Sequence, residues 1–188
     1  MEHSANPLVV DHQRAGVVRV ARSFVGTPYH HMGRVKGAGV DCATLLAEVY
    51  YEAGLLSEPV AIEYYPMDWH LHRDEERYLR IVQRYCREIP EEQALPGDIV
   101  VYHFGRAWAH GGIVINVKNS FHHGDTETRK NLAIVSSGHC VIENGQMAQS
   151  ANGQMLIIHA VLNQTVQVAD GERDGMLVGR KRRYFSPW

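Results

Sequence analysis

No apolar run in the sequence approaches the roughly 20 residues that a membrane-spanning helix needs. An excess of one charge is also missing. Nineteen Lys and Arg stand against 21 Asp and Glu, for a formal net charge of −2. A chain held to nucleic acid by bulk charge is not expected on this balance, and neither is membrane insertion. The opening residues, Met1-Glu2-His3-Ser4-Ala5-Asn6-Pro7, lack the basic flank and apolar stretch of a signal peptide, so cytoplasmic synthesis is the corresponding expectation. Cysteine is scarce. Cys42, Cys86 and Cys140 are odd in number and far apart, which does not make a disulfide framework. There is no His-Glu-x-x-His motif and no Cys-x-x-Cys pair, so the 12 histidines have no metal-ligand spacing. Neither a metal site nor a cofactor is expected.

What is present reads as one α+β domain over residues 1–188, helices first and strands afterwards, with the helices packed on an antiparallel sheet. At 45% hydrophobic residues the chain is long enough and apolar enough to bury one core. Helical spacing of Val17, Val18, Ala21, Phe24 and Val25 predicts a first helix from Asp11 to Phe24, capped by Asp11. Gly26-Thr27-Pro28 breaks it, and no regular element is read in the glycine-rich stretch from Tyr29 to Val40. A second helix starts at Cys42 with Asp41 as N-cap and ends at Gly54. A third is read from Asp74 to Ile89, with Glu75, Glu76, Arg80, Arg84 and Arg87 on a solvated face. The period then changes to that of strands. Ile99–Tyr102 follows the turn Pro96-Gly97-Asp98, and Gly111–Val117 has His110 at its start. Leu132–Val135 and Val141-Ile142 are weaker strands, Met155–Val161 is a strong one, and Thr165–Val168 follows. Residues 118–154 are polar and weakly patterned and read as an insertion. Residues 179–188 form a basic and aromatic tail, with Arg180 to Arg183 read as a solvated or partner-facing strand edge.

Of the three cysteines, only Cys42 is predicted at a helix N-terminus, where free N–H groups and the helix dipole stabilise a thiolate. Its own N–H is free there to help hold an oxyanion. The neighbouring Asp41 raises the thiol pKa, so a basic partner is required. Burial as a small apolar residue is the alternative for Cys42. Cys86 reads as packing in the third helix, and Cys140 as incidental.

The run Val25-Gly26-Thr27-Pro28-Tyr29 with Gly39-Val40-Asp41-Cys42 and the helix after it resembles the NlpC/P60 family of cysteine peptidases. Leu95-Pro96-Gly97-Asp98-Ile99-Val100, Ala109-His110-Gly111-Gly112-Ile113-Val114-Ile115 and Ile157-Ile158-His159-Ala160 are similar to three further segments of that family, in the same order. Residues 34–43, Asp68-Trp69-His70-Leu71-His72 with Glu75-Glu76-Arg77-Tyr78, and the terminal Arg182-Arg183-Tyr184-Phe185-Ser186-Pro187-Trp188 are similar to its phage-encoded branch. The resemblance implies a reduced papain-like fold. It implies Cys42 as nucleophile, His110 as general base and His159 as the group that orients the imidazole. Tyr29 and Asp41 match positions that line the substrate cleft and become candidate substrate-binding residues.

The implied activity is hydrolysis of the stem peptide of bacterial peptidoglycan at a γ-D-glutamyl–diamino acid bond, through a thioester. Phage tail proteins are the implied partners, and a virion or tail location is the implied route to the wall. Two features depart from the family pattern. Ala43 stands where Ser is common, and 49 positions separate His110 from His159. The second departure keeps Asn116, His139 and Glu143 as rivals for the third position. An idle structural tail protein, and a papain-like amidase or acyltransferase on another substrate, remain alternatives. Trp69, His70 and His72 read as a loop over the cleft, and Trp108 as a rim aromatic.

Overall fold

Pro7 opens the first helix, α1 (Pro7–Ser23), about a turn before the apolar periodicity begins. Its cap is Asn6, not Asp11: the Asn6 side chain accepts the Leu8 N–H, and proline is tolerated at the first helical position because its missing N–H would be unpaired there. The computed structural model describes residues 6–68, 71, 76–117, 142–143, 146–147 and 154–188. The expected strand at Leu132–Val135, the histidines His70, His72, His122, His123 and His139, together with Trp69 and Cys140, lie outside the described residues, as does most of the 118–154 insertion.

The glycine-rich stretch is not irregular throughout. Arg34–Val35 (β1) and Gly39–Val40 (β2) form a two-stranded hairpin, in which Gly37 adopts a positive φ of 79°. Helix α2 (Cys42–Glu52) starts and stops as expected, with Asp41 before it and Gly54 in the left-handed region after it. The third helix is shorter than its apolar stripe implied. α3 covers Arg77–Tyr85, Cys86 turns extended, and Arg87–Ile89 becomes a strand, β3. Ile89 is buried by pairing opposite Tyr184 in the last strand, a partner that local periodicity cannot report.

The main sheet has six antiparallel strands in the order β3-β10-β4-β5-β8-β9. These are β4 (Ile99–Phe104), β5 (Ala107–Asn116), β8 (Leu156–Ala160), β9 (Val166–Asp170) and β10 (Arg182–Ser186). Ile142–Glu143 (β6) and Gln146–Met147 (β7) pair separately. α1, α2 and α3 cover one face of the sheet over Val17, Phe24, Leu45, Val49, Val82, Val101, Ile113 and Ile158. The other face buries Val100, Tyr102, Val114, Ile157, Leu177 and Tyr184. The mixed α+β architecture, with helices packed on an antiparallel sheet, is therefore as expected.

The basic tail is corrected in part. β10 lies between β3 and β4; Arg182 and Arg183 pair with β4, and pairing with β3 begins at Tyr184. Its arginines find carboxylates: Arg182 meets Glu91 at 2.7 Å and Glu172 at 2.6 Å, and Arg183 Nε donates to Glu88 at 2.7 Å. Arg182 and Arg183 are thus neutralised within the sheet, while Arg180 and Lys181, before the strand, are exposed as read.

Candidate active site

The start of α2 is held by its neighbour in sequence. Asp41 is extended and fully buried, and its Oδ1 accepts the N–H groups of Ala43 (3.1 Å) and Thr44 (2.9 Å). Thr44 Oγ1 in return accepts the Asp41 N–H at 2.8 Å, closing a capping box. The other oxygen, Oδ2, accepts the Met32 N–H at 2.8 Å and the Tyr65 hydroxyl at 2.6 Å, and His31 Nδ1 lies 3.4 Å away. The same histidine donates from Nε2 to the Tyr65 carbonyl at 2.7 Å. Asp41 was expected in the substrate cleft. It is instead enclosed behind the helix start with both oxygens committed, because the Met32 and Tyr65 loops close over it. Tyr65 and His31 carried no sequence signal for this role, since neither lies in a periodic element.

With Ala43 and Thr44 satisfied by Asp41, the N–H of Cys42 is left at the head of the helix, where orphan donors gather. The half-buried thiol donates to the carbonyl of Ala109 at 3.8 Å. Ala109 sits where the β4–β5 register shifts: Tyr102 opposes His110 but His103 opposes Trp108, so Ala109 is the extra residue of a bulge. Burial, then the Asp41 charge, pushes the Cys42 thiol well above its ordinary pKa, while the N–H groups of Gly111, Cys42 and Ala43 pull it back. The resting group is a protonated thiol.

His110 and His159 meet directly, Nε2 to Nδ1, at 2.9 Å. The β5–β8 register explains how residues 49 apart do so. Ile113 opposes Ile158, which sets His159 across from Gly112 and makes His110 its diagonal neighbour on the same face. Gly112 is needed there: a Cβ would come within 3.3 Å of His159 Cβ and 3.0 Å of the Ile158 carbonyl. His159 is 1% exposed and its Nε2 has no partner among the described residues. Burial lowers its pKa from 6.5 to about 4, against a smaller upward pull from Asp174, so it is neutral at pH 7. Among its rivals, Asn116 donates to the Gln154 carbonyl at 2.6 Å, away from His110. His139 and the side chain of Glu143 lie outside the described residues.

A cavity of about 500 Å³ opens over these groups, lined by Tyr29, Cys42, Tyr65, Tyr78 and His110. Tyr29 thus lines the same cavity as the thiol. Burial above all, with Asp41 nearby, raises its pKa, so its hydroxyl stays protonated and able to donate. Tyr78, from α3, donates to the Cys42 carbonyl at 3.1 Å and locks that helix to the site. Gly111 admits it: a Cβ there would stand 2.1 Å from the Tyr78 oxygen. Arg80, Arg84 and Arg87 are exposed, as read from sequence, and Arg77, Arg80 and Arg84 also border this cavity. The backbone N–H of Trp108 donates to Glu76, and its ring stacks edge-on with His103, outside the cavity lining. Among the described residues no group of three or more His, Cys, Asp or Glu is placed to hold a metal.

A model of the NlpC/P60 family matches residues 26–170. The crystal structure of the NlpC/p60 domain of the peptidoglycan hydrolase SagA is similar over 90% of this chain and 96% of that one, at 16% identity and a TM-score of 0.49. No curated protein matches the chain. The family match spans most of the chain and takes in Tyr29, Asp41, Cys42, His110 and His159; the chain belongs to the NlpC/P60 family and is a cysteine peptidase.

Proposed function

We propose that the protein is an endopeptidase that cuts the stem peptide of bacterial peptidoglycan, at the bond between γ-D-glutamate and the diamino acid. The observation that carries this reading is the meeting on one cavity of a helix-head cysteine with a hydrogen-bonded histidine pair. Neutral His159 accepts at Nδ1 the hydrogen carried by His110 Nε2, which leaves a lone pair on His110 Nδ1 for the thiol proton. The Cys42 sulfur then attacks the peptide carbonyl, and the Cys42 N–H and Tyr29 hydroxyl are the donors beside the developing oxyanion. Collapse breaks the C–N bond. The imidazolium gives its proton to the leaving amine, and a thioester remains on Cys42. Water, deprotonated by His110, hydrolyses that thioester and restores the thiol.

Digestion of purified peptidoglycan, followed by mass spectrometry of the fragments, tests the reading. Wild type is expected to release fragments cut after γ-D-glutamate, and Cys42→Ala to release none. Equal release by both would overturn it. Action in a phage tail or in wall penetration is part of the proposal and rests on residues 34–43 and 182–188. Iodoacetamide gives an independent check on the nucleophile: Cys42 is expected to be alkylated much faster than Cys86.

A further inference from the structure

α3 presents arginines at positions 77, 80 and 84, spacings of three and four that put them on one helix face. That face lines the cavity that holds Cys42 and His110. Glu63 is the one acidic residue among the described residues that line it. Arg14, Arg34, Arg182 and Arg183 each meet a carboxylate, Arg34 at Glu48 (2.6 Å) and Arg182 at Glu91 and Glu172. Arg80 and Arg84 are exposed and, among the described residues, have no ion-pair partner. Like charges one turn apart destabilise a helix, and α3 has only nine residues. The ridge is also rigidly placed, because the Tyr78 hydroxyl ties α3 to the carbonyl of Cys42 itself.

We infer that Arg80 and Arg84, with Arg77 beside them, form a carboxylate-reading subsite that selects an anionic peptide over its amidated counterpart. The inference rests on the proposed endopeptidase reading and names what that site distinguishes. A glutamate joined through its γ-carboxyl keeps a free α-carboxylate next to the scissile bond, and a diamino acid with two carboxyl groups adds another on the far side. From Arg77 to Arg84 the helix rises about 10 Å, the length of roughly three extended residues. One ridge therefore reaches carboxylates on both sides of the bond. The guanidinium fork matches a carboxylate in bidentate geometry, and a neutral carboxamide gives up the charge and one acceptor.

The test uses L-alanyl-γ-D-glutamyl-meso-diaminopimelate and the same peptide with the glutamyl α-carboxylate amidated. Hydrolysis of each is measured for wild type, R80Q/R84Q and R80K/R84K, and binding of each to the Cys42→Ala chain is measured by calorimetry at low and high salt. Wild type is expected to favour the carboxylate peptide by roughly 10- to 100-fold in kcat/KM, through KM. R80Q/R84Q should bring that ratio towards one, and R80K/R84K should leave it in between. Cys42→Ala should bind the carboxylate peptide more tightly, with affinity falling as salt rises. Cys42-dependent hydrolysis with equal kcat/KM on the two peptides, or an equal loss on both in R80Q/R84Q, overturns the subsite and leaves the endopeptidase reading standing. Arginine-dependent binding of the carboxylate peptide without hydrolysis supports the subsite and overturns the endopeptidase. Neither binding nor hydrolysis overturns both.

Discussion

Arg14 and Asp98 are as deeply buried as His110 and His159, and both pairs link elements far apart in sequence. In the first pair no fully buried polar atom is left without a partner. Arg14 donates to Asp98 Oδ1 at 2.9 Å, to the Pro96 carbonyl at 3.1 Å and to Ser186 Oγ at 3.4 Å, and the Trp188 ring lies 4.1 Å from its guanidinium. Asp98 Oδ2 accepts the Leu95 N–H at 2.8 Å. The cluster pins α1, the Pro96-Gly97-Asp98 turn and the end of β10 together. In the second pair His159 Nε2 has no partner among the described residues, and the nearby thiol makes one long hydrogen bond to a carbonyl. A buried cluster that only holds the fold is driven to saturation, since each unpaired polar atom costs about 1–3 kcal/mol. Beside the cleft, the histidine pair keeps one buried nitrogen without a partner among the described residues.

Cys42→Ala and His110→Ala offer the sharpest break of this contrast. Each should lower wall-hydrolysing activity by at least about 10³-fold, read by fragment release, while thermal melting moves by only a few degrees. Arg14→Ala should do the reverse. Leaving the Asp98 charge buried and unpaired costs about 3–5 kcal/mol, measured by denaturant titration, whereas replacing both partners with apolar residues of similar volume should recover most of the loss. A third prediction concerns pH. His159 binds its proton near pH 4 when folded and near 6.5 when unfolded, so the unfolded chain holds more protons between those values. This group's contribution is full above about pH 6.5 and is lost as pH falls through about 4. The stability advantage of wild type over His159→Asn should therefore shrink by about 3 kcal/mol between pH 7 and 4.

Two smaller effects sharpen the same contrast. Gly111→Ala sets a methyl group against the Tyr78 hydroxyl and must move α3, at about 1–3 kcal/mol and with a larger loss in activity than in stability. Cys86→Ala marks the lower limit. Burial, with Asp98, raises that thiol to about 12, and it lines a separate apolar cavity of about 270 Å³. Stability should change by roughly 1 kcal/mol or less, and activity should not change.

The groups legible in the sequence were those set by neighbours along the chain. Asp41, Cys42 and Thr44 specify a capped helix start within four residues, so the position of the cysteine follows from local hydrogen bonding. Pro96-Gly97-Asp98 likewise marks the turn into β4, with Gly97 at a φ of 94°. Local reading failed where a distant partner competed. Ile89 continues the apolar stripe of α3, yet pairing with Tyr184 takes it into a strand. Arg182 and Arg183 look like an exposed basic run because Glu88, Glu91 and Glu172, which neutralise them, come from other segments. The α3 arginines carry the opposite lesson. Their shared face was visible as periodicity, but what that face looked onto was not.

By itself, then, the order of residues determined which elements form around Cys42 and which strands carry His110 and His159, since caps, turns and alternation act over a few residues. Tertiary structure decided that Asp41 is sealed off from the cleft, that His110 and His159 share a hydrogen bond, and that the arginine face of α3 borders the thiol's cavity. Each of those outcomes depends on which surfaces meet across long stretches of chain. That choice is made by burial of the whole core, where no single segment holds enough apolar area to settle it alone.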